Sequence, residues 1–160
     1  MKIILISLLL MSCATPVYLI DKSSYDAIPK NSTKVVASVS YGADSLYNIV
    51  ERVFSIDGWP ITSNRSAMQI SSTGKSIGTG TFMKPLVYIE SINNGAVAYF
   101  SGEVGLDQNG QIMMQVIAGM QIQQLNPIVF SGSPTNRTDL GFQKLVKMAN
   151  EIKDVKITYK

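Results

Sequence analysis

Ala96 to Gln123, AVAYFSGEVGLDQNGQIMMQVIAGMQIQ, places apolar residues at every second position on both sides of Asp107-Gln108-Asn109-Gly110. A period of two is the signature of strands. In the first run Ala98, Phe100, Gly102, Val104 and Leu106 share one face, and in the second Ile112, Met114, Val116, Ala118, Met120 and Ile122 share another. If both faces point into one core, the connecting loop must have odd length. Gln108-Asn109-Gly110 meets that condition, with Gly110 suited to the left-handed position of a bulged turn. The expectation is therefore an antiparallel hairpin of Ala96 to Leu106 with Gln111 to Gln123, setting Phe100 against Ala118, Ala98 against Met120 and Gly102 against Val116. The opposite face, with Val97, Tyr99, Met113 and Ile117, is apolar for a solvated surface. Either the loop from Gln124 to Thr138 covers it or a partner protein does, and Tyr99, Met113 and Ile117 are then the candidate anchors.

Moving outward, Lys34 to Tyr41 alternates and reads as a first strand. From Asp44 to Ile56 the apolar residues Leu46, Ile49, Val50, Val53 and Phe54 recur at helical spacing, with Asp44 near the positive end and Gly58 as a stop. Trp59-Pro60 forces a turn; Trp59 is read as a lid over the core edge and kept as a weaker partner-binding candidate. Ala67 to Ser72, Lys75 to Phe82 and Leu86 to Ile92 read as short strands, the last bounded by Pro85 and Asn93-Asn94-Gly95. Asp139 to Ile152 repeats the helical spacing through Phe142, Leu145, Val146 and Ala149, and Val155 to Tyr159 adds a terminal strand. The order strand, helix, strands, helix predicts an α+β two-layer sandwich, an antiparallel sheet with two helices on one face, occupying residues 34–160.

The composition removes several functional classes. With no histidine and one cysteine, the commonest general base, the commonest metal ligand and any internal disulfide are missing, so no cofactor is expected. A formal net charge of +3 without a basic run gives no footprint for nucleic acid. Gly74-Lys75-Ser76 ends like a phosphate-binding loop, but Gln69 stands where the required glycine belongs. Asp107-Gln108-Asn109-Gly110 starts like a calcium loop and brings its glycine too early. Asn31-Ser32-Thr33, Asn64-Arg65-Ser66 and Asn136-Arg137-Thr138 match a glycosylation pattern to which no function is assigned. Glu90 and Glu103 are the only acids expected within strands, with nothing to bring them together, so no catalysis is expected. A non-catalytic protein-binding domain is the leading reading; the alternative is a carrier or sensor of a small apolar ligand held between helices and sheet among methionines.

Location is read from the start of the chain. Lys2 precedes an apolar run, Ile3 to Met11, too short to remain as a transmembrane helix, as an export signal does. Leu10-Met11-Ser12-Cys13 resembles the lipobox of bacterial lipoproteins, in which the cysteine thiol is diacylated and becomes the new N-terminus. The resemblance implies a signal peptide over residues 1–12, lipidation of Cys13 and membrane attachment through acyl chains. Ordinary cleavage after Ala14 is the other reading of the site. Ala14 follows the cysteine where an inner-membrane retention signal places aspartate, which implies the outer membrane, facing the periplasm. Residues 13–33, rich in polar residues and proline, read as a tether. Ala43-Asp44-Ser45-Leu46-Tyr47, followed by Gly74-Lys75-Ser76-Ile77-Gly78-Thr79-Gly80, is similar to uncharacterised bacterial envelope domains with a TATA-binding-protein-like fold. That resemblance implies fold and compartment and brings no activity.

Overall fold

Two long neighbouring strands, β5 (Thr81–Ile92) and β6 (Gly95–Leu106), form the centre of the computed structural model, which describes residues 17–112 and 124–160. They are joined by Asn93-Asn94 and paired along their whole length, from Ile92 opposite Gly95 to Thr81 opposite Leu106. Gly95 is required at this turn, since its φ is +142° and a Cβ there would sit 1.9 Å from the Val39 carbonyl oxygen. Around this pair the antiparallel sheet runs β2 (Ile61–Asn64), β3 (Gln69–Ser72), β5, β6, β1 (Val35–Val39) and β8 (Lys156–Tyr159). Short strands β4 (Lys75–Ser76) and β7 (Asn126–Pro127) flank β5 and β6 respectively. The α+β architecture is as expected, with α2 (Ala43–Ile56) and α4 (Arg137–Asn150) on one face. The short helix α1 (Lys22–Asp26) and the helical residues 108–112, part of α3, complete the described elements.

The expected hairpin is corrected. One side of β6 is filled by β5 and the other by β1 along Ala96–Phe100 and β7 at Glu103–Val104, so no edge remains for the expected partner strand. Asp107 begins a helical turn instead: its carboxylate accepts from the Gly110 N–H at 2.9 Å, and the Gln111 N–H donates to its carbonyl at 2.9 Å. The inner face of β6 is the expected one, but Phe100 lies between Val87 and Val35. Residues 113–123, which carry the rest of the expected hairpin, lie outside the described residues. Pro85 does not bound a strand either. It sits inside β5 at the gap between β4, which pairs at Phe82 and Met83, and β3, which pairs from Leu86 onward, where a missing N–H disrupts neither ladder.

The core lies between the sheet's inner face and the two helices. Val35, Ala37, Ile70, Val87, Ile89, Ala98 and Phe100 are buried from the sheet, and Leu46, Val50, Phe54, Phe142, Leu145 and Ala149 from the helices. Each large side chain removed from water there contributes roughly 1.5–3 kcal/mol. At Gly141 helix α4 comes so close that a Cβ would meet Val104 Cγ1 at 2.6 Å.

From Val17 onward, the stretch expected to be a tether packs against the domain. Asp21 caps α1 by accepting from the Ser24 N–H at 2.9 Å, and Tyr25 and Ile28 are buried. The Gln143 side chain, itself buried, accepts from the Leu19 N–H at 2.8 Å. The anchor is Asp139, fully buried in the first turn of α4. Its carboxylate accepts from the Tyr25 hydroxyl (2.7 Å), the Ser131 N–H and hydroxyl (2.6 and 2.8 Å) and the Ser133 N–H (2.6 Å). These donors satisfy a buried charge and fasten α1 and the loop before α4 to that helix. Asn136 of the glycosylation-like triplet is the α4 cap, accepting from the Thr138 N–H at 3.2 Å. No described helix is long and apolar enough to cross a membrane.

Candidate functional site: the open face of the sheet

Strand alternation that sends Phe100 and Val87 inward sends Tyr99 and Tyr88 outward, directly opposite one another in the β5–β6 ladder. Their rings stack with centroids 6.5 Å apart and planes inclined by 21°. The row continues through Val36 to Thr158 on one side and through Gln69 to Asn64 on the other, spanning the sheet. Above and below the tyrosines, the outward positions are Val97 and Ser101 on β6 with Leu86 and Glu90 on β5. Tyr88 is 47% exposed and Ile92, further along the same face, 46%. Scattered apolar residues are ordinary on surfaces, but here an aromatic pair sits at the centre of the face opposite α2 and α4, beside Val36 and Val97, which are buried.

The charge around the tyrosines is mostly positive. Lys34 and Lys160 Nζ stand 6.0 and 5.2 Å from the Tyr99 ring centroid, close enough for cation–π attraction. Lys156 lies on the same face, opposite Ser38. Interaction with the Glu90 carboxylate, then burial, raises the Tyr99 pKa, so this phenol stays neutral at ordinary pH.

The loop from Gln124 to Thr138, one of the two covers expected for this face, does not reach its centre. Gln124 and Leu125 approach the far end at Gly105, after which Ile128 and Phe130 become buried in the core. Phe130 packs edge-on to Tyr25 at 4.9 Å and against Phe142 at 5.4 Å, on the helix side.

Of the residues proposed from sequence, Tyr99 is on the face, while Cys13, Met113 and Ile117 lie outside the described residues. Trp59 is elsewhere and only 4% exposed: its ring packs near Phe54, Lys75 Nζ covers it at 4.5 Å, and its indole N–H donates to Asp57 at 2.6 Å. It closes the core edge and offers little surface to a partner. Tyr88 was missed, although Leu86, Tyr88, Glu90 and Ile92 alternate with the same parity in the sequence.

Glu103 lies between Lys84 and Pro127, and Glu90 lies opposite Val97; Gln115, the expected neighbour of Glu103, lies outside the described residues. Six residues of strand therefore separate the two carboxylates along β6, about 20 Å at the strand rise and well beyond the spacing of a cooperating acid pair. Among the described residues no group of three or more Asp, Glu, Cys or His is placed to hold a metal ion. Compared with family models and with curated proteins, the sequence matches none.

Proposed function

We propose that this chain is a bacterial cell-envelope lipoprotein, attached through Cys13 and facing the periplasm, whose domain binds another envelope protein without catalysing a reaction. The observation that carries the binding reading is the stacked, partly exposed Tyr88–Tyr99 pair at the centre of the sheet's open face. Tyrosines supply large, rigid contact area and are over-represented among the residues that dominate interfaces. Lys34, Lys156 and Lys160 at one margin select a partner segment that presents apolar or aromatic side chains flanked by acidic ones. The lipid anchor rests on the lipobox-like sequence at Leu10 to Cys13. The TATA-binding-protein-like resemblance is compatible with this reading and supplies no activity to it. The apolar-ligand alternative needs room between sheet and helices, where Leu46, Phe54, Phe100 and Phe142 are fully buried.

A photo-crosslinking residue at position 88 or 99 of the full chain, activated in the envelope of the producing cell, tests the reading. The expected result is one discrete adduct from each position and none from Asn150 on the helix side. Equal yields from all three positions, or no adduct at 88 and 99, would contradict it.

A further inference from the structure

The helix layer carries a separate feature. Between α2 and α4 lies a groove of about 670 Å³, within the range of small-molecule sites. Its apolar surface comes from Ile49, Val53, Ile56 and Met148, and Ile56 is 75% exposed at its margin. This isoleucine is the last residue of α2 and extends the apolar strip of Ile49 and Val53 to the groove's rim.

The charged margin is unbalanced. Lys144 is already neutralised by Asp57, with which it makes contacts of 2.8 and 2.9 Å. That leaves Arg52, Lys147 and Lys153 against Glu151 in the wall and Asp154 near Tyr41, and none of these three cations has an ion-pair partner among the described residues. One wall residue, Tyr41, has a buried hydroxyl with no hydrogen-bond partner among the described residues. Burial and then the charge of Asp154 raise its pKa, so it remains a proton donor.

We infer that the groove between α2 and α4 binds a single-chain anionic amphiphile, a long-chain carboxylate. Its chain lies along Ile49, Val53, Ile56 and Met148, and its head group lies among Arg52, Lys147 and Lys153. The apolar floor alone would accept any chain; the surplus of unpaired cations selects an anionic head over a neutral or cationic one. This site is on the layer opposite the tyrosine face and goes beyond the protein-binding reading, so either can fail without the other.

The test uses the full chain in membranes of the producing cell, photolabelled with a diazirine-bearing fatty carboxylate and mapped by peptide mass spectrometry. Label is expected within residues 49–56 and 144–153, displaced by dodecanoate at concentrations where dodecanol displaces at least tenfold less. Arg52→Glu with Lys147→Glu is expected to reduce labelling at least tenfold. Ile56→Asp, at an exposed position, gives a second variant whose fold is not at stake, with the same loss expected. Label confined to other segments, equal displacement by dodecanol, or labelling unchanged in both variants would overturn the proposal.

Discussion

The two faces of one sheet are built from adjacent residues and put to different uses. Phe100 points inward, between Val87 and Val35 and beneath the helices, and is fully buried; Tyr99, its neighbour in sequence, points outward onto Tyr88, with Lys34 and Lys160 near its ring. Both faces are rich in large apolar side chains; α2 and α4 cover the inner one, while on the outer one Val36 and Val97 are buried and Tyr88 is 47% exposed. Apolar character in a strand therefore does not by itself identify the core. The helices that cover it do, and on the opposite face the 47% exposed Tyr88 beside Tyr99 is the part of the surface offered to a partner.

Truncation on either side of the sheet gives the largest contrast. Phe100→Ala is expected to cost about 3–5 kcal/mol in urea unfolding, whereas Tyr99→Ala should stay within roughly 1 kcal/mol of the parent. Comparable losses would mean that the outer face is core as well. Next in size is Asp139→Ala, which leaves the buried Tyr25 hydroxyl and the Ser131 and Ser133 N–H groups without their acceptor. A loss of roughly 2–3 kcal/mol is expected, with faster proteolysis in residues 17–33. An unchanged denaturation midpoint would show that this segment is not fastened through Asp139.

A smaller effect concerns alkaline pH. Burial, then the hydrogen bond to Asp139, raises the Tyr25 pKa above its ordinary value. The folded state thus holds this proton more tightly than the unfolded chain. Its contribution is complete below about pH 10, the ordinary tyrosine value, and is lost as pH rises beyond it. Tyr25→Phe should flatten the alkaline limb of the stability curve relative to the parent, while Tyr99→Phe on the open face should change it less. Equal flattening in both variants would remove the distinction in burial.

The elements legible in the sequence are those whose signal is local. The alternation of Val35 to Val39 and the helical spacing of Leu46, Val50, Val53 and Phe54 identify β1 and α2, and Phe142, Leu145, Val146 and Ala149 identify α4. Pairing was harder to read because turn chemistry is degenerate: Asp107-Gln108-Asn109-Gly110 serves a hairpin or a capped helical turn equally well, and here it caps. Pro85 hid the length of β5 because its tolerance depends on the gap between β3 and β4. The N-terminal packing was illegible for a different reason. Tyr25 and Asp139 are 114 residues apart, and the polar residues around Tyr25 have the composition of a linker. On the candidate site, Tyr99 followed from alternation alone, but Tyr88 required knowing that β5, rather than a later segment, lies beside β6.

The most direct test of a partner-binding sheet face is a single paired experiment on the full chain, Tyr88→Asp with Tyr99→Asp, comparing crosslinked partner recovery and melting temperature with the parent. The account predicts at least a tenfold loss of the adduct with a melting temperature within a few degrees of the parent. Full recovery of the adduct, or a collapse of the melting transition, would contradict it.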